Sequence, residues 1–152
     1  MIMDETLEFA DAVALDTSGT DTDLIGDVID LGVARDIANG QPLYLVVQID
    51  TAVTSGGSAT VQFSLASDAV AAIATDGNQT IHYLSDAFPV ASLTQGFSIV
   101  VPLPMGGAVS TGYERYLGFQ TVTGTAALTA GKVNAFLTID PHGWTSYADA
   151  NN

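Results

Sequence analysis

Residues 27–68 read DVIDLGVARDIANGQPLYLVVQIDTAVTSGGSATVQFSLASD, and the second half of that stretch decides the fold. Two strand-like runs stand in it, Leu43–Asp50 and Ala59–Ser67. The residues between them, TAVTSGGS, are small and polar with two adjacent glycines, as in a hairpin with a longer loop. Leu43, Leu45, Val47 and Ile49 share one face of the first run, and Val61, Phe63 and Leu65 share one face of the second. Side chains alternate across a strand, so these groups point together into a core. The outward face of the first run carries Tyr44 and Val46 before turning polar at Gln48 and Asp50. Thr60, Gln62, Ser64 and Ala66 read as the ordinary wet face of the second. A strand apolar on both faces is covered on both, either by a second layer of its own chain or by another subunit.

Upstream, Leu7–Leu15 reads as a strand with Leu7, Phe9, Val13 and Leu15 inward. Asp11 breaks that row, which a bulge or an exposed strand end would explain. Asp16–Asp27, DTSGTDTDLIGD, reads as a polar loop. Its aspartates loosely resemble a Ca²⁺ loop, but the full consensus and its final Glu are missing, so a solvated loop is expected. Val28–Val33 is expected to be a short strand with Ile29, Leu31 and Val33 inward. Asn39-Gly40-Gln41-Pro42 follows as a turn. Arg35 is expected to pair locally with an acid such as Asp36.

Downstream, DAVAAIATDGNQ (68–79) has a weak helical look at Asp68–Ala74, with a short turn or strand equally compatible. Thr80–Leu84 is a strand that leaves His82 exposed. Ala87–Leu93 is an edge strand or arm interrupted by Pro89, and Phe97–Leu103 is a strand with Phe97, Ile99, Val101 and Leu103 on one face. Met105–Tyr113 reads as a glycine-rich surface loop. A last hairpin is expected from Arg115–Thr123 and Lys132–Asp140, joined by GTAALTAG. It turns Phe136 outward beside Asn134 and Thr138. The tail PHGWTSYADANN holds Trp144 and Tyr147, unlike a typical disordered end. With about eight strands, turn signals between them and no clear helix, the expected fold is all-β. It is a jelly-roll-like antiparallel β-sandwich over residues 1–140, with the aromatic tail 141–152 packed on it or on a neighbour.

Composition narrows the function. The chain has 152 residues, 3 Lys plus Arg against 17 Asp plus Glu, and no cysteine. Disulfides and thiolate metal sites are excluded. A net charge of −14 is incompatible with neutralising phosphates, so neither nucleic acid nor an anionic membrane is an expected partner. Charged residues are 13% of the chain, about half the usual ~25%, so much of the surface is Thr, Ser, Ala and Gly. Such a surface suits contacts with other subunits, where charge is costly to desolvate. No nucleophile elbow, catalytic carboxylate spacing or metal-ligand cluster appears, and no enzyme activity, cofactor or metal is expected.

Several blocks carry a family resemblance. VIDLGVARDIANGQPLYLVVQID, TSGGSATVQFSLASD, Arg115-Tyr116-Leu117-Gly118, LTAGKVNAFLTID and the Asp140-Pro141 step with Trp144 after it occur in that order. Together they resemble the capsid cement proteins of tailed bacteriophages of the Bordetella-phage type, over most of the chain. The resemblance implies a jelly roll made in the host bacterial cytoplasm that sits on the outer capsid surface of the virion. Its implied partner is the major capsid protein, and a homo-oligomer, a dimer rather than a trimer, is expected. Tyr44, Val46, Phe136, Trp144 and Tyr147 are the candidate subunit or shell contacts. The alternative from another class is a carbohydrate-binding β-sandwich module using Tyr44, Tyr83, Tyr113, Tyr116 and Trp144.

Overall fold

A computed structural model of the chain describes residues 5–35, 37, 41–103 and 112–142. Nine strands account for most of them: β1 (Glu8–Ala14), β2 (Thr22–Asp30), β3 (Tyr44–Ser55), β4 (Thr60–Asp68), β5 (Thr80–Leu84), β6 (Phe88–Pro89), β7 (Ser98–Pro102), β8 (Tyr116–Gly124) and β9 (Leu128–Thr138). The described residues contain no α-helix, only 3₁₀ turns at Glu5–Leu7 and Val90–Ser92.

The strands form two sheets, and every pair is antiparallel. One sheet runs β1-β9-β3-β7 and the other β2-β8-β4-β5, with the short β6 also on the edge of β4. This is the strand order of a jelly roll, so the expected sandwich is what the chain forms. Leu45, Val47 and Ile49 from one sheet meet Val61, Phe63, Leu65, Leu117 and Phe119 from the other in a single buried cluster. A chain of phenylalanines ties the layers together. Phe63 stacks on Phe119 at 6.1 Å, lies 6.1 Å from Phe88, and Phe88 meets Phe97 edge-on at 5.2 Å.

Neither expected hairpin forms. β3 pairs with β7 and β9, and β4 pairs with β8, β5 and β6, so β3 and β4 lie in opposite sheets. The same holds for β8 and β9. Both links are arches that cross the sandwich, and they run side by side. Ser55 Oγ donates to the Ala127 carbonyl at 2.7 Å, and the Thr54 and Thr129 hydroxyls meet at 2.8 Å. An arch buries the same alternate side chains as a hairpin, because its two inward faces oppose each other across the core.

Three smaller expectations change. The loop after β1 is shorter than predicted, because β2 already starts at Thr22 and contains what was read as the loop's end. Val33 lies beyond that strand and is exposed rather than inward. Tyr113, placed by sequence in a surface loop, is buried. Of the two explanations for Asp11, a bulge or an exposed strand end, the bulge is the one the fold shows. The β1–β9 register slips twice around it, Ala12 takes a positive φ, and Asp11 faces solvent. β2 has its own slip between Ile25 and Val28, centred on Gly26 at φ +72. A Cβ there would lie 1.9 Å from the Phe9 carbonyl oxygen, so glycine is what lets β2 cross close to β1. The turn residues Asn39-Gly40 and most of the glycine-rich stretch after β7 lie outside the described residues.

Because Phe63 sits at the centre of the phenylalanine chain, Phe63→Ala should lower unfolding free energy by about 3–5 kcal/mol in urea melts. Val70→Ala, at an exposed position, should change it by less than about 0.5 kcal/mol.

Candidate functional site

A sandwich has two outer faces, and the sequence left open what covers them. On the β1-β9-β3-β7 sheet, Val46 lies directly between Phe136 of β9 and Val100 of β7. Opposed residues project to the same side, so Tyr44, Val46, Phe136 and Val100 share this outer face. Val46 is 0% and Phe136 2% exposed, yet neither belongs to the cluster between the sheets. Gln48, Asp50 and Thr138 are buried too. The chain itself therefore covers Val46 and Phe136, and neither is available for a contact without rearrangement. Tyr44 is half-buried and Val100 exposed, which leaves the margin of the face open. Of the five candidate residues, the fold brings Tyr44, Val46 and Phe136 together. Trp144 and Tyr147 lie outside the described residues.

The opposite outer face is not wet, as Thr60, Gln62, Ser64 and Ala66 had suggested. Ser64 and Ala66 are buried, and residues 69–79 fold over the sheet. Ile73 sits above Gly118, where an added Cβ would come within 2.6 Å of its Cδ1 and 2.7 Å of that of Leu24. Gln120 donates to the Ala74 carbonyl at 2.8 Å, and Gln79 donates to Gln120 at 3.3 Å. Asp68 accepts from the amides of Val70 and Ala74, closing a loop where the sequence had a weak helical look.

On the core side of the same sheet, at its β4–β5 edge, residues distant in sequence converge. Ser67 Oγ and His82 Nε2 are 2.7 Å apart, and the Glu114 amide donates to the same hydroxyl at 3.1 Å. Thr80 donates to the Glu114 carboxylate at 2.8 Å, and the His82 and Tyr113 rings lie 4.1 Å apart. Serine, histidine and glutamate so placed resemble a hydrolytic triad in composition. Their geometry differs: the Ser67 hydroxyl is fully buried, and Glu114 is bonded to Thr80 rather than to the imidazole. His82 is therefore not the exposed histidine that strand alternation implied.

At one end of the sandwich an apolar groove of about 640 Å³ is lined by Leu7, Ile29, Leu31, Ile37, Leu43 and Ile139, among others. Leu7 and Ile139 are substantially exposed. Two of the chain's three cations stand here. Arg115 makes a bidentate pair with Asp30, both contacts 2.8 Å, and lies over the Tyr116 ring. Arg35 donates to the Leu31 carbonyl, while Asp36, its expected partner, lies outside the described residues.

Acidic groups gather along β1 and β2. Glu5, Glu8, Asp11 and Asp27 line a shallow hollow with Phe9, Ala10 and Val13. Desolvation and the neighbouring carboxylates push the Glu8 carboxyl up. Asp23 is raised to about 6, first by desolvation and then by Asp16 and Asp21. Asp30 moves the other way, to about 2, because Arg115 and the Gly32 amide hold its charged form. No group of acids and histidines among the described residues has the geometry of a metal site.

These shifts set a pH profile. Asp23 is raised, so its stabilising contribution is complete below pH ~4 and lost as pH climbs through about 6. Asp30 is depressed, so its contribution is present above pH ~4 and lost as pH falls through about 2. Asp23→Asn should therefore flatten the urea midpoint between about pH 4 and 7 relative to wild type. Asp30→Asn should remove part of the loss below about pH 4.

A search of the curated proteins finds no match. A family model described as Bbp16 matches residues 9–137, from Phe9 in β1 to Leu137 in β9. That span contains nearly the whole sandwich. The chain belongs to the Bbp16 family, a Bordetella phage protein family.

Proposed function

We propose that the protein is a structural virion component, a cement protein on the outer surface of a tailed-phage capsid. It holds neighbouring major capsid subunits together against the pressure of packaged DNA. The observation that carries this reading is family membership along almost the entire jelly roll. The surface is compatible with it. Few side chains are charged, and Val33, Val100 and Ile139 are exposed apolar groups of the kind found at contacts. The work is mechanical and involves no catalysis, cofactor, nucleic acid or membrane.

A standard interface of ~1,600 Å² gives specific attachment, and repetition across a shell multiplies it. A dimer of the protein would join two sites on the lattice. Tyr44 and the tail residues Trp144 and Tyr147 remain the proposed contacts with shell or partner copy. Val46 and Phe136 act instead as the floor beneath the cover of their sheet.

Carbohydrate binding is less well supported. Tyr44 lies on one sheet while Tyr83 and Tyr116 lie on the other, and Tyr113 is buried. They cannot make one flat platform for a sugar.

The deciding experiment is the copy number in purified, DNA-filled particles relative to the major capsid protein. Near-stoichiometric copies, with heads leaking DNA on mild heating when the protein is absent, are expected. A handful of copies, or none, would overturn the proposal. Trp144→Ala should lower particle occupancy while the melting temperature stays within a few degrees of wild type. Phe136→Asp should instead destabilise the fold by more than about 3 kcal/mol, because it removes a buried aromatic group and buries a charge.

A further inference from the structure

The cluster at Ser67 and His82 has no part in the proposed role, and its hydrogen bonds fix a direction. Ser67 Oγ accepts the Glu114 amide, and because the hydroxyl is buried with His82 Nε2 as the one acceptor within its reach among the described residues, its own proton goes to that nitrogen. The imidazole is then neutral, with its proton on Nδ1. These bonds link three elements. Ser67 belongs to β4, His82 to β5, and Glu114 to the last residues of the connection from β7 to β8. Tyr113 anchors the same connection by its buried ring against the imidazole. We propose that His82 is a pH-sensitive clasp that fastens residues 113–114 to the core-facing side of β4 and β5 and releases them on protonation.

A protonated imidazole has no lone pair at Nε2, so it cannot accept from Ser67. It would also place a charge in a half-buried site. The groups facing the histidine are few. β4 presents the Ser67 hydroxyl. The connection presents Tyr113 and the Glu114 carboxylate, which favours the charged ring but is also held by Thr80. The nearby loop acids are engaged elsewhere, Asp68 on the Val70 and Ala74 amides and Asp76 on Asn78. Burial outweighs Glu114 and holds the His82 pKa below its ordinary 6.5. A depressed histidine stabilises the closed state above the ordinary value, and that contribution is lost as pH falls through the depressed one.

The test is NMR on the intact chain. Long-range ¹H–¹⁵N spectra near neutral pH should give the Nδ1–H tautomer for His82. The exchange rate of the Glu114 amide, corrected for its intrinsic pH dependence, should rise as His82 protonates, by up to about tenfold per pH unit. Asp23→Asn should leave the effect intact, and His82→Gln should abolish it. An Nε2–H tautomer would overturn the clasp. So would Glu114 exchange that ignores His82 protonation in the wild type, or a pH dependence that survives in His82→Gln. The wild-type measurement decides the matter even where the glutamine variant folds poorly.

Discussion

The sandwich depends on the pairing of two arches. β3 and β4 cross from one sheet to the other as neighbours in sequence, and β8 and β9 cross beside them. β3 therefore lies on β9 while β4 lies on β8, so two long strand pairs face each other across the phenylalanine chain. Each pair holds its register because a slip of one residue would turn a full apolar row towards the wrong side. The remaining strands dress the edges of this frame. β1 and β2 arrive with bulges, and β7 ends in Pro102, a residue suited to an edge. Where β2 passes closest to β1, the absence of a side chain at Gly26 sets the approach.

Much of this was legible in the sequence, and the exceptions share a cause. The inward rows at Leu45, Val47 and Ile49 and at Val61, Phe63 and Leu65 were read from alternation alone. Alternation says which side chains face the core but not which strand lies alongside. Hairpin and arch bury the same residues, and the partner that separates them is far away in the chain. The bulge at Asp11 was visible because one acid broke an apolar row. Val33 was misread because a short run of apolar residues continued past the true end of β2.

The outer faces were harder to read. Ser64, Ala66 and Gln120 are small or polar, which is the pattern of a solvated strand. They are nonetheless buried: residues 69–79 lie over the sheet, where the Ala74 carbonyl accepts from Gln120 and Ile73 lies over Gly118. A polar face hidden beneath a loop looks in sequence like a polar face in water. The same blindness hid the convergence of Ser67, His82 and Glu114, which belong to three separate elements. Val46 and Phe136 were correctly read as lying outside the core, yet periodicity could not tell a contact surface from a floor beneath the chain's own cover. The acids on β1 and β2 oppose one another and the arginines at the far end neutralise little, so charge contributes more to solubility than to stability.

The position of β3 also bears on how the protein is made. Neither of its sheet neighbours, β7 and β9, exists when β3 leaves the ribosome, because both are encoded further along the chain. Until they arrive, LYLVVQID is an uncharged, β-prone run ending in one acid, with both edges unpaired. Runs of that kind associate with one another when crowded. A polysome carrying many nascent chains therefore presents its most adhesive segment for most of the time each chain takes to complete. Sparser initiation, which spaces the nascent chains apart, or a chaperone that holds extended strands would raise the soluble yield, and the strand at the centre of the finished sheet is the segment that needs such protection during translation.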